Sequence, residues 1–326
     1  MPRDFWKDKR VLITGFRGFL GSHLTKSLIN RGAAITGLDI RTDINTLILS
    51  KEDIKKIRIV KGDVADYKLV KKTLENNKIE IIFHLAAHAL VGYCLENPKA
   101  AFEANICGTW NILEASRKVS KNRIRAIIVS SSDKAYGDQK ELPYREDSPL
   151  RGDHPYDVSK SCADLLASAY SHTYNLPVCV TRCGNIFGPG DMNFSRIVPS
   201  AIVSAINDKT LPVRSDGRFV RDYAYIDDIV DGYALLAEKL QRLKLGGEAF
   251  NLSYENPISV LGLVRMIYRL TDKTPKYRIL NKAKYEIRKQ YLSSRKARRV
   301  LGWRPKYGLH SGMKITVNWY KDAINR

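Results

Sequence analysis

The sequence predicts an α/β protein, a doubly wound parallel sheet joined to a smaller α/β substrate-binding domain. Three observations predict it. Short apolar runs alternate with helix-length segments through the first half of the 326-residue chain. The first apolar run ends in a glycine-rich turn that opens a helix. After about residue 185 the alternation loosens into loops, short strands and helices. The expected division is 1–182 for the first domain, with part of 222–250 returning to it, and 183–326 for the second.

The elements follow in order. KRVLITG is a short apolar strand, and HLTKSLINRG continues with helical spacing to a terminal glycine. AAITGLDI, IRIVKGDV and IEIIFHLAA are the next three strands. PKAAFEANICGTWNILEASRKV is a long helix that starts with a proline suited to a first turn. IRAIIVSSS is the fifth strand, YDVSKSCADLLASAYSHTY another long helix, and LPVCVTRCGNIFG a sixth strand running into a Gly/Pro loop. Continuous apolar runs of this kind suit strands covered on both faces. LGWRPKYGLHSGMKITVNWYKDAI reads as a terminal helix.

Composition narrows the class. Hydrophobic residues make up 44% and charged residues 27%, ordinary for a globular chain. The polar start MPRDFWKDKR has no signal-peptide core, and no apolar run reaches the roughly 20 residues of a membrane helix. A cytoplasmic protein without a membrane partner is expected. The five cysteines show no C-x-x-C pair and the histidines no H-E-x-x-H spacing, so neither a disulfide framework nor a metal site is expected. The net charge is +21, yet only Arg288 to Arg299, RKQYLSSRKARR, is dense. Attraction of a polyanionic small substrate accounts for such a charge without a nucleic-acid partner.

Two stretches carry chemistry. In TGFRGFLG, Gly15, Gly18 and Gly21 follow a strand and open a helix, so the backbone and a helix N-terminus can approach a pyrophosphate closely. Asp39 ends the second strand, where a carboxylate can accept both ribose hydroxyls of NAD, although neighbouring Arg41 keeps NADP open. This is a Rossmann-type site. The second stretch, SSDKAYG, sets Asp133 beside Lys134 at the end of the fifth strand. The pair is either a solvated loop tip or a proton donor and acceptor aimed at one substrate.

The spacing G-x-x-G-x-x-G, HLAA (84–87) and Tyr156-x-x-x-Lys160 together resemble the extended short-chain dehydrogenase/reductase family of nucleotide-sugar epimerases and dehydratases, from about residue 8 to the C-terminus. Within it the chain is most similar to the CDP-glucose 4,6-dehydratase group, at HLAAHALVGYCLENPKAAFEANICGT, SSDKAYG and YREDSPLRGDHPYDVSKSCADLLASAY. It departs from that group at GFRGFLG and at VRDYAYIDD, the latter more like epimerases and dTDP-sugar dehydratases.

The resemblance implies tightly bound NAD contacted by Gly15, Gly18, Phe19, Leu20, Gly21, Asp39, Asp63, Val64, Leu85, Ala86, Ala87, Asn105, Tyr156 and Lys160. It implies that Ser132, Tyr156 and Lys160 serve oxidation at C4 of a sugar. Tyr156 and Lys160 lie one turn apart, and a nearby ammonium favours the phenolate. Asp133 then protonates a leaving C6 hydroxyl and Lys134 takes part in C5 proton removal. This needs a protonated carboxyl and a neutral amine in a partly dry site. His88, Asn185, Arg214, Arg221 and Arg288 are the candidates for binding the nucleotide sugar, Arg221 for its diphosphate. Arg221 could instead form a surface ion pair with Asp222 or Asp227. A UDP-sugar 4-epimerase is the alternative activity. Helices 98–119 and 156–175 are the expected homodimer contact.

Overall fold

The computed structural model describes residues 5–41, 46–119, 123–283 and 285–324. Seven strands form the central sheet: β1 (Arg10–Thr14), β2 (Ala34–Asp39), β3 (Ile57–Lys61), β4 (Ile81–His84), β5 (Ala126–Ser130), β6 (Val178–Cys183) and β7 (Ala249–Leu252). Their order is β7-β6-β5-β4-β1-β2-β3, with every pairing parallel. Helices α1 (Phe19–Asn30), α2 (Tyr67–Asn76), α3 (Gly108–Lys118), α4 (Pro155–Tyr174) and α5 (Ile226–Lys239) pack around it, and α6 (Leu309–Ile324) packs on the strand Tyr223–Tyr225 and on the helices 197–206 and 260–270.

Period-two alternation in the strands builds two cores. Val11, Ile13, Ile81, Phe83 and Ile128 join Leu24 and Leu28 of α1 and Ile229 and Tyr233 of α5. Their neighbours Leu12, Ile82, Ile127 and Val129 join Val70 of α2, Ile112 of α3 and Ala163 of α4. Helices therefore cover both faces, and the predicted doubly wound parallel sheet is the observed one. The edge strand β3 departs from the expected burial: Arg58, Ile59 and Lys61 are exposed. An edge strand has only one neighbour to hide it.

The long helix read at 98–119 runs as Pro98–Phe102, a π-turn over Glu103–Cys107, and α3. The widened turn carries Asn105, which is buried. Helix α6 begins only at Leu309, and residues 302–305, with Pro305, have no helical structure. Beyond β6 the chain makes small sheets. Asn185–Phe187 pairs with Tyr223–Tyr225, Leu211–Val213 with Tyr277–Ile279, and Val220–Arg221 lies between Ile258–Ser259 and Lys289–Gln290. Helix α5 and strand β7 return to the central sheet, where β7 pairs with β6. Among the described residues no helix is long and apolar enough to cross a membrane.

Candidate active site

Strand order reverses between β1 and β4, and that switch point opens a crevice at the carboxyl ends of the strands. Gly15 sits there. It adopts φ 69°, and a Cβ on it would lie 2.9 Å from the amide nitrogen of Ala86, in the loop after β4. A Cβ on Gly21 would lie 2.1 Å from the Gly15 carbonyl oxygen, so α1 can approach the turn only with glycine at that position. Gly18 caps α1, leaving the helix N-terminus bare of side-chain acceptors. Phe19 and Leu20 follow, both half-buried. Asp39, buried at the end of β2, accepts from the amides of Arg17 (3.2 Å) and Arg41 (3.0 Å). The cradle and its acid thus meet at one end of the sheet, as a dinucleotide requires.

The loop after β4 is fixed by side chains from β1, from α3 and from the π-turn before it. Thr14 Oγ1 accepts from the amides of Leu85 and Ala86, both at 3.1 Å. Thr109 donates to the Asn105 carbonyl at 2.6 Å, so His84 Nε2 donates to Thr109 (3.1 Å) and His84 Nδ1 accepts from Thr14 (2.9 Å). Burial holds this imidazole neutral, its pKa pushed down to about 3. Asn105 clamps the next residue: its Oδ1 accepts from the His88 amide (2.8 Å), and its Nδ2 donates to the His88 carbonyl and to Ser159. Leu85, Ala86 and Ala87 are held between these anchors. Val64 packs on Gly108 and is tied by its carbonyl to Asn111, while Asp63 is exposed and caps its own turn.

Strand β5 delivers the second half of the site. It ends at Ser130, and Ser132 opens a 3₁₀ turn over Asp133–Tyr136. Ser132 donates to Asp133 Oδ1 (2.9 Å) and lies within hydrogen-bonding reach of Tyr156. Lys160 Nζ donates to the Ser130 carbonyl at 2.8 Å and stands 5.8 Å from the centre of the Tyr156 ring. Burial lowers its pKa to about 8. Burial also raises that of Tyr156, with Ser132 the largest opposing influence. Among the protein's own groups, enclosure of the phenol outweighs the influences that would favour the phenolate.

Asp133 is buried, and burial pushes its carboxyl up despite Lys134 beside it. Burial, then Arg221, pushes the Lys134 amine down. An acid shifted toward its protonated form next to an amine of reduced basicity suits proton transfer. Arg221 is buried, bonds to the carbonyls of Val220 and Arg288, and pairs with Glu286 at 3.7 Å. Its partner is thus neither Asp222 nor Asp227, because its strand lies against residues 286–290. Two further buried acids flank the pair. Asp222 has its pKa raised to about 7 and Asp157 to about 6, both by burial, and each has one enclosed oxygen without a hydrogen-bond partner.

The remaining candidates lie further out. Asn185 is exposed and donates weakly to the Asp222 carbonyl (3.4 Å). His88 is half-buried and stacks on Tyr93, ring centres 4.6 Å apart. Arg288 meets the site only through its carbonyl, and its side chain is exposed. Arg214 is exposed and donates to Ser195 (3.3 Å), and no contact joins it to Asp133 or Arg221. The five cysteines are all free, and no group of side chains suited to a metal occurs among the described residues.

A glycine cradle, an acid ending β2, and a Ser–Tyr–Lys set beside β5 on this sheet define a short-chain dehydrogenase/reductase of the extended type. The family model for GDP-mannose 4,6 dehydratase matches residues 12–316. The chain belongs to that family of nucleotide-sugar dehydratases and epimerases. It is 31% identical to the UDP-glucuronate 4-epimerase of Thermodesulfobacterium geofontis, over 96% of both chains. It is 30% identical to the CDP-glucose 4,6-dehydratase of Salmonella typhimurium, over 99% of this chain and 94% of the other. Among solved structures, the dTDP-glucose 4,6-dehydratase of Streptomyces venezuelae, with NAD bound, superposes with a TM-score of 0.86 at 27% identity. That match covers 97% of this chain and 98% of the other.

Proposed function

We propose that this chain is an NAD-dependent nucleotide-sugar 4,6-dehydratase, with CDP-glucose the first-choice substrate and the nucleotide-linked 4-keto-6-deoxyhexose the product. The observation that carries the reading is the Asp133–Lys134 pair, enclosed at the end of β5 next to Ser132 and Tyr156. A 4-epimerase has no leaving group to protonate and no use for a buried acid there.

Bound NAD would supply the acceptor for the C4 hydride and the means of its return to C6 within the same turnover. Gly15, Gly18, Phe19, Leu20 and Gly21 would hold its pyrophosphate and Asp39 its adenosine ribose; Asp63 and Val64 would lie by the adenine, and Leu85, Ala86, Ala87 and Asn105 by the nicotinamide half. Tyr156, beside Ser132, takes the proton from the C4 hydroxyl, and the positive charge of a bound nicotinamide would offset the burial that otherwise keeps the phenol protonated. Lys134 takes the C5 proton, which the adjacent C4 carbonyl has made acidic. Asp133 protonates the C6 hydroxyl, which leaves as water. When the hydride reaches C6, Lys134 gives a proton back to C5, and the proton that Tyr156 gains balances the one that Asp133 gives up. Arg221 is suited to the diphosphate, because a planar fork matches phosphate oxygens, and Glu286 is the partner it would exchange. His88 would face the sugar, and Asn185, Arg214 and Arg288 would line the outer sugar and nucleotide from a substrate-binding domain of residues 183–326.

The 4-epimerase reading rests on the epimerase-like VRDYAYIDD segment and on relatives such as the one from T. geofontis. Turnover of CDP-, dTDP- and UDP-glucose and GDP-mannose in heavy water separates the two readings. The dehydratase yields a product lighter by one water with solvent deuterium at C5. An isomer without deuterium would establish the epimerase.

The same reading predicts a homodimer through α4 and the helix that ends in α3. Exposed Trp110 and Leu165 and neighbouring Ile106, Leu166 and Ala169 line an apolar cavity of about 390 Å³ on that face. Light scattering should give twice the chain mass, and Leu165→Glu with Trp110→Glu should give the mass of one chain.

A further inference from the structure

The third residue of α4, Asp157, is 4% exposed, and its Oδ1 is enclosed with no hydrogen-bond partner. An acid in the first turn of a helix ordinarily faces solvent and stabilises the free amides. This one is turned away from solvent. Its helix turn is fastened to the turn that carries Lys134: the Ser161 hydroxyl reaches the carbonyls of Ala135 (2.9 Å) and Asp157 (3.1 Å) and accepts from the Gly152 amide (3.3 Å). A Cβ on Gly152 would lie 2.4 Å from the Asp157 carbonyl carbon, so that strand of loop is pressed against the same turn. Lys134 in turn has no hydrogen-bonding carboxylate among the described residues; Asp133, Asp157 and Glu286 act on it through space, against Arg221. Lys134 and His154 act on Asp157 through space, with Asp133 and Asp153 opposing.

We infer that Asp157 is the positioning residue for Lys134: its unpartnered carboxylate sets how tightly the Lys134 amine holds a proton, and stabilises the ammonium that forms when the amine takes a proton from carbon. This deepens the dehydratase reading and rests on it for the chemistry, but the pairing of the two groups is a property of the protein alone. Two opposite charges that act on each other where little water reaches couple strongly enough to shift a titration by about one pH unit. Above the carboxyl's own titration Asp157 is an anion, so it holds Lys134 protonated to higher pH than a neutral side chain would.

The test is an NMR titration of lysine-labelled protein, with the Lys134 signal assigned by its loss in Lys134→Met. Asp157→Asn should lower the Lys134 titration midpoint by about one pH unit, and Asp157→Glu should restore most of it. Asp157→Ser, which tolerates helix first turns, is the second variant if the amide disturbs folding. An unchanged midpoint in a variant with wild-type melting temperature overturns the inference. If the midpoint moves and the protein still makes no dehydrated sugar, the pairing stands and the dehydratase reading fails. If dehydration occurs, the acidic limb of its kcat profile moves down in pH with the same variants; a merely structural acid would lower kcat at every pH and leave the limb in place.

Discussion

Asp133→Asn will abolish water elimination while leaving proton exchange at C5 in place. The amide is isosteric with the carboxylic acid and can still meet Ser132, which donates to Asp133 Oδ1 at 2.9 Å. It cannot deliver a proton to a departing hydroxyl. Loss of a positioned acid costs on the order of 10²- to 10⁴-fold, so dehydrated product should fall by that factor. C4 oxidation depends on Tyr156 and on Lys160, which is anchored to Ser130 rather than to Asp133, and should continue. Substrate recovered from heavy water should therefore carry deuterium at C5 without having lost water. Quantifying the two species in one mass spectrum checks both halves. Product formation within a few-fold of wild type would return Asp133 to the status of a buried loop acid.

Asp164→Ala will destabilise the fold by about 3–5 kcal/mol, the cost of leaving a buried charge without its partner. Asp164 on α4 and Arg182 on β6 form a two-pronged pair at 2.8 and 2.9 Å, both side chains about one-twentieth exposed. The guanidinium also donates to the Tyr136 hydroxyl (2.8 Å) and the Glu146 carbonyl (3.0 Å), and Tyr136 donates to Asn251 on β7. Losing Asp164 strands a cation in this network. The pair thus secures the turn that follows Asp133 and Lys134 to β6 and β7. Urea unfolding measures the loss; a change below about 1 kcal/mol would mean that the pair behaves as a surface salt bridge. Replacing both residues, Asp164→Leu with Arg182→Met, should recover much of the stability, since no uncompensated charge remains.

How much of this could be read from the chain depends on the range of each interaction. The cradle was legible because Gly15, Gly18 and Gly21 act within one turn and their spacing is itself the geometry. Asp39 was legible from its place at the end of a strand. The parallel sheet followed from apolar runs separated by helices, and only β3, at an edge, differs in burial. The Asp133–Lys134 pair stood out because the two are adjacent. By contrast, Asp157 and Asp222 look like surface acids in sequence and become buried only when the turn after β5 and the segment after β6 close on them. Arg221 meets Glu286 across 65 residues, a pairing set by strands of two residues each that have no period to detect. His84 was visible only as part of HLAA; its bonds to Thr14 and Thr109 need β1 and α3 already in place. The π-turn at Glu103–Cys107 left no trace in the apolar spacing, which continues through it.

The central claim is that one enclosed site carries a hydrogen from C4 to C6 of the same sugar. A nucleotide sugar labelled with deuterium at C4, turned over in ordinary water with NAD, tests it most directly. Deuterium recovered at C6 of a product that has lost one water is the predicted result. Deuterium retained at C4 of an isomer of the starting sugar would contradict the account.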